Sequence, residues 1–114
     1  MRDDALFLHD IIAASSAIRD FVRDKERTHL ETDRLLLAGV LHELATIGEA
    51  ARRLSSTIGV RYPAVPWKRA IAMRNYIAHA YFALDLDVIW QTATTDVPAL
   101  ERDVRGILEE LKRR

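Results

Sequence analysis

Arg74, Asn75, His79 and Tyr81 fall within the eight-residue run Arg74-Asn75-Tyr76-Ile77-Ala78-His79-Ala80-Tyr81. A guanidinium is cationic at any working pH, an imidazole gives or takes a proton near neutrality, and an amide and a phenol supply hydrogen bonds. Such a set suits phosphodiester chemistry, in which a proton must move while charge builds on phosphoryl oxygens. The same residue types also fit a satisfied core histidine beside an arginine bound to a carboxylate, and composition alone does not separate the two.

The element that must carry these side chains is a helix from Trp67 to about Phe82, where apolar residues recur so densely that most of its surface is expected to be buried. Trp67, Ile71, Arg74, Ala78 and Tyr81 follow one stripe, which sets the guanidinium in the register of a packing face. An unpaired buried charge costs several kcal/mol, so Arg74 is expected to have a partner, a ligand or a water-filled cleft. At about 100° per residue Arg74 and Tyr81 align within roughly 20°, Asn75 aligns with His79, and Arg74 and His79 stand about 140° apart. One straight helix cannot aim both at the same atom unless it ends near His79 or its polar edge faces a cleft. Glu49, in the close-packed run Gly48-Glu49-Ala50-Ala51, is a carboxylate that Arg74 could pair with; an ordinary exposed helix glutamate is the other reading.

The chain has 114 residues and reads as a single domain, residues 1 to 114, long enough to bury roughly two-thirds of its unfolded surface. Every long segment shows the helical period and none alternates, which predicts an all-α, up-down bundle of about five helices. Cysteine is absent, so no disulfide or thiolate metal site exists, and a reducing compartment is permitted. The N-terminus opens on acids without a signal peptide's apolar core, and the longest apolar run, Leu35 to Leu41, is too short to span a bilayer. The expectation is a soluble cytoplasmic protein with no membrane segment. Net charge is zero, but residues 1 to 49 carry −4, residues 50 to 84 carry +6 with no acid at all, and residues 85 to 114 carry −2. That central basic block suits a polyanion unless acids of the flanking helices fold over it.

Helix boundaries follow from caps and breakers. A first helix is expected from Asp3 or Asp4 to about Arg23, with Leu8, Ile11, Ile12, Ser15, Ile18 and Val22 inward. Asp24 to His29 reads as a polar break, and Thr32 or Asp33 caps a second helix reaching about Leu54. Ser55 to Pro66 reads as a connector, and Pro66 starts the third helix. Asp85 caps a short fourth helix; Thr95 or Asp96 caps the last, with Pro98 in its first turn and Lys112, Arg113 and Arg114 complementing its dipole. Other chemistry falls away. His42-Glu43-Leu44-Ala45-Thr46 has Thr46 where a zinc protease needs its second histidine, no glycine-rich phosphate loop exists, and the paired serines lack a neighbouring base. Trp67 and Trp90 read as core, His9 and His29 as solvated. Neither a metal nor a cofactor is expected.

Further blocks give the chain a family likeness: Ile47-Gly48-Glu49-Ala50-Ala51-Arg52-Arg53-Leu54, Tyr62-Pro63 with Pro66-Trp67, Met73-Arg74-Asn75 with His79 and Tyr81-Phe82, Leu86-Asp87 with Trp90, and Asp96 with Pro98. In order and spacing they resemble the HEPN-domain toxins that pair with minimal nucleotidyltransferase antitoxins, from about residue 35 to the C-terminus. The chain differs from the usual pattern at Ala72 and Ala83, where that family tends to have Gly, and at Ala80, often acidic there. The resemblance implies a HEPN-type helical bundle that dimerises, with the Arg-His motifs of two protomers facing across a cleft. It further implies a metal-independent endoribonuclease in which His79 moves protons, Arg74 holds phosphoryl charge and Asn75 orients the scissile phosphate or shapes the motif; Glu49, as the carboxylate Arg74 could pair with, is the other supporting residue. Tyr81 would be the residue to which the partner transferase adds AMP, silencing the toxin. A non-catalytic bundle of the same type, binding a nucleotide, RNA or the transferase, is the alternative.

Overall fold

The computed structural model describes residues 3–113, so Met1, Arg2 and Arg114 lie outside the described residues. Four long helices make the bundle: α1 (Asp4–Val22), α3 (Arg34–Arg53), α5 (Trp67–Ala80) and α7 (Val97–Lys112). Three short ones join them, α2 (His29–Thr32), α4 (Ser56–Arg61) and α6 (Leu86–Gln91), and no strand occurs among the described residues. The expected all-α bundle is therefore present, with seven α-helical segments in place of about five.

Helix α3 lies at the centre, with α1 on one side and α5 on the other, and α7 covers the outer face of α1. The up-down order is visible in two contacts. Asp4, at the start of α1, accepts hydrogen bonds from the backbone N–H (2.8 Å) and hydroxyl (2.5 Å) of Ser55, just past the end of α3. Arg19, near the end of α1, reaches Glu101, near the start of α7. The core between these helices is built from apolar stripes: Leu8, Ile11 and Ile18 of α1, as predicted, with Val40, Leu44 and Ile47 of α3 and Leu100, Val104 and Ile107 of α7, are all buried.

Most caps act as expected. Asp3 accepts from the Leu6 N–H, Asp33 from the Leu36 N–H and Asp85 from the Asp87 N–H, each satisfying a donor that the first helical turn leaves free. The chain leaves α1 through Asp24, whose φ of 61° is the left-handed conformation that a short polar side chain tolerates. Three expectations need correction. The polar break after Arg23 contains α2, a single turn seated by the buried Leu30, and His29 is tied into it, its ring Nδ1 accepting from the Glu26 N–H at 2.9 Å. The connector contains α4, seated by Ile58. Neither Thr95 nor Asp96 caps a new helix, because residues 92–96 form a π-helical segment that carries α6 into α7 without a break. Pro98 has no N–H for the preceding turn, and a widened turn absorbs that missing bond.

One buried acid went unread in the sequence. Glu101 is 5% exposed and bridges Arg19 (2.8 Å) and Arg105 (2.8 Å), locking α7 to α1. Burial pushes its carboxyl up, but hydrogen bonds from Arg105 and Arg19 outweigh that and hold it below the usual carboxylate range. Its contribution to stability is thus complete above the ordinary carboxylate pKa and disappears as pH falls through the lower folded value. Acid titration of the melting temperature should show a loss in that window that is absent in Glu101→Gln.

Candidate active site

The site begins at a helix crossing. A β-carbon on Gly48 of α3 would stand 2.3 Å from Arg74 Cβ and 2.7 Å from the Ala70 carbonyl oxygen of α5. Only glycine lets the backbones approach so closely, and the aliphatic stem of Arg74 is what fills the space above it. Gly48→Ala must push α5 away, because neither clashing atom is the free end of a flexible side chain. An expected cost of about 1–3 kcal/mol follows for such overpacking, to be read as a lower denaturation midpoint at unchanged m-value.

Entry into α5 is fixed upstream, where the Trp67 indole N–H donates to the Tyr62 carbonyl at 3.1 Å and Val65 is buried. Contrary to the expectation of a mostly buried helix, Ile77 is the fully buried residue of α5, flanked by half-buried Ala70, Met73 and Tyr76. The opposite face is open, and Asn75, Ala78 and His79 are exposed. Arg74 sits at the boundary. Its side chain is 41% exposed, so the stem packs while the guanidinium snorkels out. It rims a groove of about 420 Å³ between α1 and α3, shared with Asp10, His42, Glu49 and Arg53.

Arg74 is held loosely. Its Nη1 donates to the Asn75 side-chain oxygen at 3.3 Å, and its Nε lies 3.9 Å from Glu49, beyond hydrogen-bond range. Glu49 is engaged by its own helix instead, accepting from Arg52 at 2.8 Å and Arg53 at 2.7 Å. Those hydrogen bonds, Arg52 first, pull its carboxyl down to about 2. Glu49 is therefore an anion throughout the working range and has no proton to trade. The sequence-based pairing of Glu49 with Arg74 becomes a longer-range electrostatic contact. Thr46 returns its hydroxyl to the His42 carbonyl at 3.0 Å, an ordinary helix interaction.

His79 occupies the last turn of α5, exposed and without a hydrogen bond or ion pair among the described residues. Because α5 is continuous from Trp67 to Ala80, the separation of about 140° between Arg74 and His79 holds in the structure. Within one protomer the two side chains are not brought together. Tyr81 leaves the register expected for it. Ala80 adopts φ −120° and ψ 25°, and Tyr81–Ala83 form a 3-10 turn, so the α-helical alignment of Tyr81 with Arg74 does not apply. Past the turn, the start of α6 is tied back to α5 by the Tyr76 hydroxyl, which accepts from the Asp85 N–H at 2.7 Å. That role had no signal in the sequence beyond a phenol on a packed face. Tyr81 is 52% exposed, Phe82 is fully exposed, and their rings meet edge-on at 5.5 Å.

The basic block is largely neutralised. Arg52 and Arg53 pair with Glu49, Arg61 with Glu110 at 3.0 Å, and Arg69 with Asp96 at 3.4 Å. Flanking acids do fold over it, and the cations they leave open, Lys68 and Arg74, are both on α5.

Comparison with known proteins gives the family. The family described as "Ribonuclease HepT-like" matches residues 11–107. "Putative RNase MJ1380" of Methanocaldococcus jannaschii is 30% identical over 103 residues, covering 90% of this chain and 94% of that protein. "Probable ribonuclease HepT" of Thermococcus cleftensis is 31% identical over 107 residues, covering 94% of each chain. No solved structure matches the chain significantly. No helix among the described residues is long and apolar enough to cross a membrane. With the family match spanning the bundle from α1 to α7, Arg74 and His79 included, the chain belongs to the HepT-like ribonuclease family.

Proposed function

We propose that the protein is a metal-independent endoribonuclease and the toxin of a toxin–antitoxin pair, acting in the cytoplasm and silenced by a partner nucleotidyltransferase that adds AMP to Tyr81. The observation that carries this reading is the state of Arg74 and His79. Both are reachable from solvent, and neither has a carboxylate within hydrogen-bond distance, so both remain available to a phosphate.

The chemistry needs little more than these groups. The ribose 2′-oxygen attacks the adjacent phosphorus, the bond to the 5′-oxygen breaks, and the proton lost by the 2′-hydroxyl is balanced by one gained at the 5′-oxygen. His79 moves protons, and Arg74 neutralises the charge growing on the non-bridging oxygens. Asn75, beside Arg74 and on the face of His79, orients the phosphate. Since one α5 cannot aim Arg74 and His79 at a single phosphorus, the active form is a homodimer in which one protomer supplies the arginine and its partner the histidine. The products are a 2′,3′-cyclic phosphate, or the 3′-phosphate formed from it, and a 5′-hydroxyl. Purified protein should generate these ends on cellular RNA at full rate in EDTA. Ends of the opposite polarity, or loss of cleavage in EDTA restored by a divalent ion, would refute the reaction.

A further inference from the structure

The open face of α5 is longer than the Arg74–His79 motif. Lys68, Ala72, Asn75 and His79 follow the i, i+4, i+7, i+11 rule, so they form one strip, and all four are exposed. Lys68 stands about 16 Å along the axis from His79 at 1.5 Å per residue. Among the described residues Lys68 has no ion pair or hydrogen bond, whereas four of the five arginines of the basic block are held by carboxylates at 3.4 Å or closer. The strip between them carries no acid: Ala72 and Asn75 are neutral and Ala78 borders it. Beyond its other end Phe82, in the Tyr81–Ala83 turn, is fully exposed, its ring and that of Tyr81 meeting in a T-shaped contact. A phenylalanine wholly in water presents ring surface on which a base can stack.

A cation, a neutral polar strip and a proton-transfer group along one helix face, with an exposed ring in the turn that follows, are parts that a single strand of nucleic acid uses, with phosphates on cations and splayed bases on rings. We propose that the outward strip of α5 and the following turn form a track for single-stranded RNA, in which Lys68 holds a backbone phosphate remote from the scissile one and Phe82, at the opposite end, stacks a base next to the scissile phosphate. This rests on the ribonuclease reading and specifies its substrate: an unpaired segment, since a base held in a duplex cannot lie on Phe82.

The test measures binding of a fluorescent oligonucleotide with a 2′-deoxy sugar at the cleavage point, and cleavage of the all-ribose version, free or annealed to its complement. Variants are Lys68→Gln, Lys68→Arg, Phe82→Ala and Phe82→Tyr. Lys68→Gln should lower the slope of log Kd against log salt by about 0.7, the value for one phosphate contact on a single strand, and Lys68→Arg should restore it. Phe82→Ala should raise Kd and KM about tenfold or more with kcat little changed, and Phe82→Tyr should keep the wild-type values. Annealing should protect the wild-type substrate. Unchanged slope and KM in a wild type that cuts RNA would overturn the track and leave the nuclease standing. A Phe82→Ala protein that turns monomeric would make Phe82 a subunit contact and overturn its stacking role. If the wild type cuts no RNA, the ribonuclease reading fails, and the binding slopes still decide whether the strip takes a strand.

Discussion

His79→Ala should lower RNA cleavage by about 10²- to 10⁴-fold, the usual contribution of a positioned acid–base group, with no change in melting temperature. The second half of that expectation comes from the structure: His79 is exposed in the final turn of α5 and makes no hydrogen bond or ion pair among the described residues. Arg74→Ala should match it in rate, because stabilisation of phosphoryl charge is separate from proton transfer and equally absent from the ground state. It should cost some stability as well, since its stem packs on Gly48. Arg74→Lys is expected to rescue little, a point charge being unable to hold two phosphoryl oxygens as a guanidinium fork does. In both single variants growth inhibition should vanish together with cleavage. Equal cutting of a panel of cellular RNAs by wild type and His79→Ala would remove His79 from the reaction.

The second large effect concerns Tyr81. Its phenol is half exposed, two residues beyond His79, in the turn that follows α5. The phenolic oxygen can attack the α-phosphorus of ATP in the partner enzyme and release pyrophosphate, leaving AMP joined through a phosphodiester. On that proposal the attached group would add an anion and a base two residues beyond His79, where its bulk would exclude RNA. Co-expression with the cognate transferase should therefore yield whole-number AMP additions mapping to Tyr81 and abolish cleavage. Tyr81→Phe should keep its toxicity and escape silencing, because among the described residues the Tyr81 ring meets Phe82 edge-on, a contact that phenylalanine reproduces, and the phenol has no hydrogen bond to lose. Adenylylation at another residue, or a Tyr81→Phe protein still silenced by AMP transfer, would move the regulated position elsewhere.

The long helices were legible because their apolar stripes run for several turns: the inward set of α1 stands where periodicity placed it, and Asp33 and Asp85 cap as their residue type predicts. Short elements were not. α2 and α4 are too brief for a period to show, and each is held by one buried residue, Leu30 or Ile58, that no pattern flags. Arg74 illustrates a different limit. Its stripe position was read as burial, yet a stripe fixes only where the Cβ points. What the guanidinium meets depends on Gly48, and a glycine in mid-helix signals close approach without naming the neighbour. Glu101 was missed because an isolated acid in an amphipathic helix looks the same whether it faces solvent or two arginines from different turns and helices. Tyr81 was assigned to the wrong register because nothing in Ala80-Tyr81-Phe82-Ala83 marks the change from α to 3-10 geometry.

A dimer with one Arg74→Ala protomer and one His79→Ala protomer, co-expressed with two tags and purified through both, is the most direct measurement of a site shared between chains. Each variant alone lacks one of the two groups at every phosphate. In the mixed dimer, the intact arginine of one protomer and the intact histidine of the other form one complete site, while the second site lacks both. About half the wild-type rate is expected, one of two symmetric sites being whole. A mixed dimer as inactive as its parents would contradict the shared site, since it would mean that Arg74 and His79 must come from the same chain despite standing on different faces of α5.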